Sequence, residues 1–248
     1  MIKKILEVKD LKKSFTFKKD IVSVIDNISF DLYDGEIISI VGTSGCGKST
    51  LLNIIGGLTS KTDGEINYFF DINNIGYMLQ NDSLFPWYTN IQNARLGCLI
   101  KRFNNDEYIE KLIKKYGLED FKNKYPHNIS GGMRQRIALI RTISTKPKLL
   151  LLDEPFAALD YQSRLKISKD IYELIKENNI ATIIITHDIA EAISMSDKVI
   201  VLSKRPCVIK NTYTIKLNNN IDPIKNRKDE KFNYYYELIC KDLDLFDS

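Results

Sequence analysis

The chain has no apolar run approaching the ~20 residues that cross a bilayer; its runs stop at stretches such as Leu149 to Leu152. Any link to a membrane is therefore expected to run through a partner chain. Met1 to Glu7 holds no uninterrupted apolar core, and no signal peptide is expected. Four cysteines (Cys46, Cys98, Cys207, Cys240) lie far apart without a C-x-x-C pair, so reduced thiols in the cytosol are the expected state. A concentrated basic stripe is also missing. Seven lysines fall between Lys3 and Lys19, but apolar residues interleave them, and the net charge is only +4. Nucleic-acid binding needs a denser cationic face, so it is not expected. There are no internal repeats and no low-complexity segment longer than the three asparagines from Asn218.

What is present is organised around Gly42-Thr43-Ser44-Gly45-Cys46-Gly47-Lys48-Ser49-Thr50. Ile37 to Val41 before it reads as a buried strand, and Leu51 to Ile55 after it as a helix with one buried face. Strand, glycine-rich loop and helix is the context of a phosphate-binding loop. Glycines let successive N–H groups face inward as an anion nest, and the helix N-terminus adds its dipole. Lys48 is placed to reach the β- and γ-phosphates, and the Ser49 hydroxyl to ligate Mg²⁺. The motif predicts a nucleoside-triphosphate site.

At 248 residues, 44% hydrophobic and 27% charged, the chain is an ordinary globular one able to bury a large core. Before the loop, alternation predicts strands at 5–8, 22–25 and 28–32, with Asp34-Gly35 turning the chain into the next strand. The helix after the loop is expected to end at Gly56-Gly57. A glycine turn at Asp63-Gly64 should lead into a strand over 65–70, and another strand over 75–79 ends at Gln80. Residues 90–125 carry an amphipathic pattern through Ile109, Leu112, Ile113 and Tyr116, broken by Gly117, and read as a helical subdomain inserted between two α/β lobes. After Pro126, Ser130-Gly131-Gly132-Met133 opens a helix with apolar positions at Met133, Ile137 and Ile140. Leu149 to Leu152 reads as a fully buried strand of a parallel sheet. A helix over 162–176, strands over 182–186 and 199–202, and a polar tail past Pro206 with an aromatic helix at Phe232 to Tyr236 complete the pattern.

The buried strand ends in Asp153-Glu154. Such a strand delivers carboxylates to the sheet's C-terminal edge beside the phosphate loop. The first acid suits Mg²⁺ and the second suits a general base acting on a water. Two histidines exist, His127 and His187; His127 reads as an exposed neighbour of the Ser130 loop without a chemical role.

Ser130-Gly131-Gly132 resembles the signature motif of ABC-type ATPases. Together with Gln80, Asp153-Glu154, Ala158-Leu159-Asp160 and His187 it reproduces that family's motif order over residues 1 to about 204. The resemblance implies an α/β P-loop NTPase fold: a RecA-like core, an N-terminal antiparallel β subdomain and an inserted α-helical subdomain. The cassette is expected to span 1–204, with its core at about 1–84 and 145–204 and the helical part at about 85–144. Residues 205–248 are left as a short C-terminal extension. The resemblance also implies that Phe15 stacks on adenine (Phe17 being the competing aromatic) and that Gly42 to Thr50 is the Walker A loop. Gln80 would touch Mg²⁺ and the attacking water, with Ser49 and Asp153 as further metal ligands. Glu154 would be the general base, and His187 would face the γ-phosphate. Ser130, Gly131 and Gly132 would contact the nucleotide held by a second copy, with Asp160 crossing the interface. ATP and Mg²⁺ are the implied cofactors, and a head-to-tail homodimer with ATP sandwiched between copies is the implied assembly.

Tyr125 to Arg136, Asp153-Glu154-Pro155-Phe156 and the Arg205-Pro206 step are similar to the nitrate/sulfonate/taurine-type importer ATPases. Met133 stands where many signatures have glutamine, and the region between Glu65 and Ile75 is short. Leu84-Phe85-Pro86-Trp87 reads as an exposed apolar knob, which in such importers receives the permease. The expected partners are integral membrane permease subunits and, indirectly, an extracellular or periplasmic solute-binding protein. The expected location is the cytoplasmic face of the membrane. The interval from Lys48 to Ser130 has no room for the long coiled coil of DNA-repair or chromosome ABC ATPases. The alternatives are an exporter, a lipid-handling system or a non-transport ABC ATPase.

Overall fold

Isoleucine, valine and aromatic residues alternate with polar ones through the first 33 residues and build a long hairpin, β1 (Lys4–Phe17) with β2 (Asp20–Tyr33). In this computed structural model, residues 3–17, 20–157, 159–217 and 222–245 are described. Ala158 and the asparagines from Asn218 therefore lie outside them, as does the Phe17 side chain. The separate short strands expected over 22–25 and 28–32 belong to one strand. Asp10 and Asn27 adopt φ of 47° and 59° at shifts in the β1–β2 register. Such bulges reset the period-2 pattern without ending the strand. β4 (Asp63–Tyr68) adds to β1, giving an antiparallel sheet ordered β2-β1-β4. Gly64, expected as a turn, lies inside that strand at φ +87°, where an added Cβ would meet the Asp10 carbonyl at 2.4 Å.

The second sheet has the order β5-β6-β7-β3-β8-β9. Its strands are β3 (Ile37–Val41), β5 (Ile75–Met78), β6 (Leu149–Asp153), β7 (Ala181–Ile185), β8 (Lys198–Leu202) and β9 (Ile209–Thr214). All pair in parallel except β9, which runs antiparallel to β8. The tail beyond Pro206, expected as a polar extension, thus supplies the sixth strand of the core sheet.

Period 2 sorts the central strands between two cores. Leu150, Leu152 and Ile184 face a cluster with the helices α2 (Asn90–Ile100), α3 (Asp106–Lys115), α4 (Gly131–Ile143) and α5 (Tyr161–Glu177). Leu149, Leu151, Ile183 and Ile185 face the β1–β2 hairpin and α1 (Lys48–Ile55). Each fully buried leucine or isoleucine contributes about 1.5–3 kcal/mol; a one-residue slip in β6 mostly exchanges leucine for leucine, and its cost comes from bringing Lys148 or Asp153 into a leucine position. A third core joins α6 (Ile189–Met195) and β8 to α8 (Phe232–Asp242). A short helix, α7 (Pro223–Asn226), is tied to α6 by Asn226 Nδ2 donating to Ser194 O at 2.7 Å.

α2 and α3 lie between β5 and β6 in the chain. Thr89 starts α2 with a reciprocal capping box to Gln92, and Gly117 leaves α3 at φ +66°.

Candidate functional site

Because β3, β5, β6, β7 and β8 run parallel, their C-terminal ends open on one edge, where ligands of such sheets bind. The loop after β3, Gln80 after β5, Glu154 after β6, His187 after β7 and Arg205 after β8 line one cleft of about 540 Å³ there. A larger hollow, about 730 Å³, lies on the antiparallel sheet between Lys9, Asp10 and Glu65. It collects surface charge of both signs and no converging strand ends, so the chemistry belongs to the smaller cleft.

Gly45 and Gly47 take φ of 72° and 131°, conformations that a side chain would strain. Ser44, Gly45, Gly47, Lys48, Ser49 and Thr50 line the cleft. Cys46 does not: it is buried, and its Sγ would sit 2.9 Å from a Cβ added at Gly42. α1 begins at Lys48, inside the loop and three residues before the expected start. The Lys48 ammonium folds onto the loop, donating to Gly42 O at 2.8 Å and Thr43 O at 3.0 Å.

Two carboxylates flank that loop. Ser49 Oγ donates to Asp153 Oδ1 at 3.2 Å. Burial pushes the Asp153 carboxyl above the usual range, against the opposing effects of the Ser49 bond and the Lys48 charge. Glu154 is turned by a left-handed backbone, φ 47°, and fixed by its N–H donating to Ile185 O at 2.9 Å. A non-glycine residue holds this conformation where its surroundings over-determine it. Its Oε2 accepts from Gln80 Nε2 at 3.1 Å and lies 3.5 Å from His187 Nδ1. The hydroxyl, carboxylate and amide oxygens of Ser49, Asp153 and Gln80 are hard donors that suit Mg²⁺. Among the described residues no cluster of three His, Cys, Asp or Glu could hold a metal by itself.

Other predicted residues stay outside the cleft. Phe15 is half-buried beside the second core, with the Lys13 ammonium 4.6 Å from its ring centroid. Ser130 is the N-cap of α4, accepting from Met133 N at 3.3 Å. Gly131 follows it, and a Cβ on Gly132 would come within 3.3 Å of Leu159 Cδ2. Asp160 caps α5 by accepting from Ser163 N at 3.0 Å, and those bonds hold its carboxyl below the usual range. Ser130 and Asp160 are solvent-exposed helix N-termini, and neither lines the cleft. His127 is exposed and stacks on Tyr125, with ring centroids 5.8 Å apart.

Sequence reasoning missed several arginines. Arg205 carries no signal in the sequence beyond the Arg205-Pro206 step, yet its Nη2 donates to Gly45 O at 2.6 Å. Arg164 pairs with Asp188 at 3.3 Å and with the buried Glu191 at 3.6 Å. Glu191 Oε2 accepts from Thr186 Oγ1 at 2.7 Å, so both neighbours of His187 are anchored. The only available signal was spacing: Arg164 lies four residues after Asp160, and Glu191 four after His187. The knob is exposed only in part: Trp87 is 65% and Phe85 37% accessible, with ring centroids 5.0 Å apart, whereas Leu84, expected on the knob, turns inward and is buried in the core it shares with the helices.

The ABC transporter family model matches residues 25–157. YtlC of Bacillus subtilis, an uncharacterised ABC transporter ATP-binding protein, is 39% identical over 96% of this chain and 95% of its own. The nitrate import ATP-binding protein NrtD of Synechocystis is 37% identical, covering 90% and 86%. The aliphatic sulfonates import ATP-binding protein SsuB of Bacillus thuringiensis is 34% identical, covering 92% and 91%. Among solved structures, the ATP-binding cassette MJ0796, a dimer in a post-hydrolysis state bound to ADP and Pi, superposes with a TM-score of 0.75. It is 28% identical, covering 86% of this chain and 99% of that one.

Proposed function

The chain belongs to the ABC transporter family as an ATP-binding, ATP-hydrolysing subunit, and from that premise we propose that it powers import of a small oxyanionic solute through a separate permease. The solute class is nitrate, sulfonate or taurine-like; nitrate and aliphatic sulfonates are the solutes named for the relatives NrtD and SsuB. The observation that carries the reading is the convergence of Lys48, Ser49, Gln80, Glu154 and His187 in one cleft while the Ser130 helix terminus stays outside it.

In this reading each cleft is half a site. Lys48 leaves the Gly42 and Thr43 carbonyls for the β- and γ-phosphates of ATP, and the loop N–H groups cradle them. Ser130 caps a helix whose Gly131 and Gly132 N–H groups have no partner within the helix, and this terminus offers a second anion site. A head-to-tail partner copy brings its own Ser130 loop to this cleft, and Asp160 lies along that contact. Ser49, Asp153 and Gln80 would hold Mg²⁺, which when bound neutralises charge on the β- and γ-phosphates. The Glu154 carboxylate, oriented by Gln80, takes the proton of the attacking water, and His187 stands on the γ-phosphate side. Phe15 as the adenine platform requires a rearrangement around Lys13 on binding. Catalysis is mainly positioning and charge stabilisation, with dimer closure and reopening as the mechanical output.

The knob of Phe85, Trp87 and Tyr88 is the permease-docking surface in this proposal. No described helix is long and apolar enough to cross a membrane. The chain's place at the cytoplasmic membrane face then depends on permease subunits, which receive solute from an external binding protein. Deletion of the gene in its host tests the import reading. Growth on nitrate as sole nitrogen source, or on an alkanesulfonate as sole sulfur source, should fail and return with wild type but not with Glu154→Gln. Undiminished growth on both would overturn it.

A further inference from the structure

The segment after β8 forms a rigid arm beside the phosphate loop. Ser203 N donates to Val208 O at 3.0 Å and Val208 N to Ser203 Oγ at 3.0 Å, closing a tight turn. Cys207 is bonded through its N–H to Val24 O at 2.9 Å and through its carbonyl to Asp26 N at 3.0 Å. Its Sγ would lie 3.0 Å from a Cβ added at Gly47. Arg205 is carried on this arm, lines the cleft, and gives one of its donors to Gly45 O at 2.6 Å. Among the described residues it has no carboxylate partner.

We infer that Arg205 is a nucleotide-contact residue, a second cation that binds the polyphosphate tail of ATP from its position on Gly45. The inference rests on the reading of this cleft as the ATP site. Carbonyls are the unfavourable element of an anion-binding loop, and here side-chain cations bond three of them: Lys48 on Gly42 and Thr43, Arg205 on Gly45. A guanidinium has five donors, so holding Gly45 leaves four for phosphate oxygens. Its planar fork matches a phosphate better than a lysine would. The arm's backbone bonds to β2 fix its base, so little backbone entropy is lost when the contact forms.

The test is the Kd of ATP and of ADP, by titration calorimetry, for wild type, Arg205→Gln, Arg205→Lys and Lys48→Ala over a range of salt concentrations. A charge-assisted phosphate bond predicts about a tenfold weaker Kd for Arg205→Gln. It also predicts a shallower salt dependence, because one screened attraction is gone. Arg205→Lys should recover part of both. A purely structural brace would lower the melting temperature of Arg205→Gln and leave the salt dependence and Kd at wild-type values; that result overturns the inference. A wild type that fails to bind ATP, or a Lys48→Ala variant that binds it normally, would instead overturn the ATP-site reading and the inference with it.

Discussion

Arg141 and Ser83 are 58 residues apart in the chain, and the Arg141 Nη1 donates to the Ser83 carbonyl at 2.8 Å. Its Nη2 takes the adjacent carbonyl, Asp82 O, also at 2.8 Å. One face of α4 therefore clamps the loop between Gln80 and the aromatic knob, with Arg134 Nε adding a bond to Asp82 Oδ2 at 2.9 Å. The same helix begins at Ser130. Arg141→Ala should free this loop at a cost of about 1–3 kcal/mol, the typical penalty for unpairing such groups. Trp87 is the only tryptophan, so its fluorescence reports on the loop directly. Acrylamide should quench Trp87 more strongly in the variant, and any emission change on adding ATP should shrink while basal hydrolysis persists. Quenching equal to wild type would show that the loop is held by something else.

Gln80 and His187 both approach the same oxygen of Glu154. Glu154→Gln keeps the shape and removes the proton acceptor, so turnover should fall by about 10²–10⁴-fold, the usual contribution of a general base. Binding of ATP should survive, because Lys48 and the loop N–H groups are untouched. The variant should then accumulate as a nucleotide-bound dimer on size-exclusion chromatography with ATP. Hydrolysis at the wild-type rate would remove Glu154 from the base role.

Much of this cleft was legible because its residues sit at the ends of strongly patterned segments. Four consecutive leucines followed by Asp153-Glu154 can hardly be other than a buried strand delivering acids to an edge, and β6 is that. Ser130 announces a helix by its capping chemistry. The hairpin's length is hidden in the sequence because Asp10 and Asn27 break alternation locally while the ladder continues. β9 was unreadable for a different reason. Only Ile209 and Tyr213 of that edge strand are even half-buried, so its pairing is made by backbone bonds that leave no mark in side-chain pattern. Arg141, Arg205 and Glu191 escaped because their roles rest on folded proximity. Arg205 meets Gly45 across 160 residues, and spacing rules do not reach that far.

Trp87 and Phe85 make a tilted aromatic pair, T-shaped against Tyr88, on an exposed loop. Truncating exposed side chains usually changes stability by less than 0.5 kcal/mol, about the scale of surface substitutions. Replacing both Phe85 and Trp87 with alanine should accordingly spare folding and basal hydrolysis. Aromatic anchors at an interface are typically worth ~2 kcal/mol or more each, so co-purification with the permease and permease-stimulated turnover should both collapse. Retention of full coupling in the double variant would sink the docking assignment.

Asp153 sits where burial opposes its ionisation. Its carboxyl titrates higher in the folded chain than in the unfolded one, so the folded state binds the proton more tightly. That linkage stabilises the fold at acid pH, and the stabilisation is lost as pH rises through the raised folded value. Asp153→Asn removes the charge while leaving an oxygen for the Ser49 hydroxyl. The nucleotide-free variant should therefore melt higher than wild type at pH 8. A gain of about 1 kcal/mol would correspond to about 2–4 °C in a chain of this size. The difference should narrow as pH falls through the raised value, where the wild-type carboxyl takes up its own proton. Hydrolysis should be lost at every pH, because the amide is a poor ligand for the cation that accompanies ATP. Thermal melts of both proteins at pH 8 and across the acid range decide it: an Asp153→Asn melting point below wild type at pH 8, or a difference that widens toward acid, would mean that the ionised Asp153 stabilises the empty site.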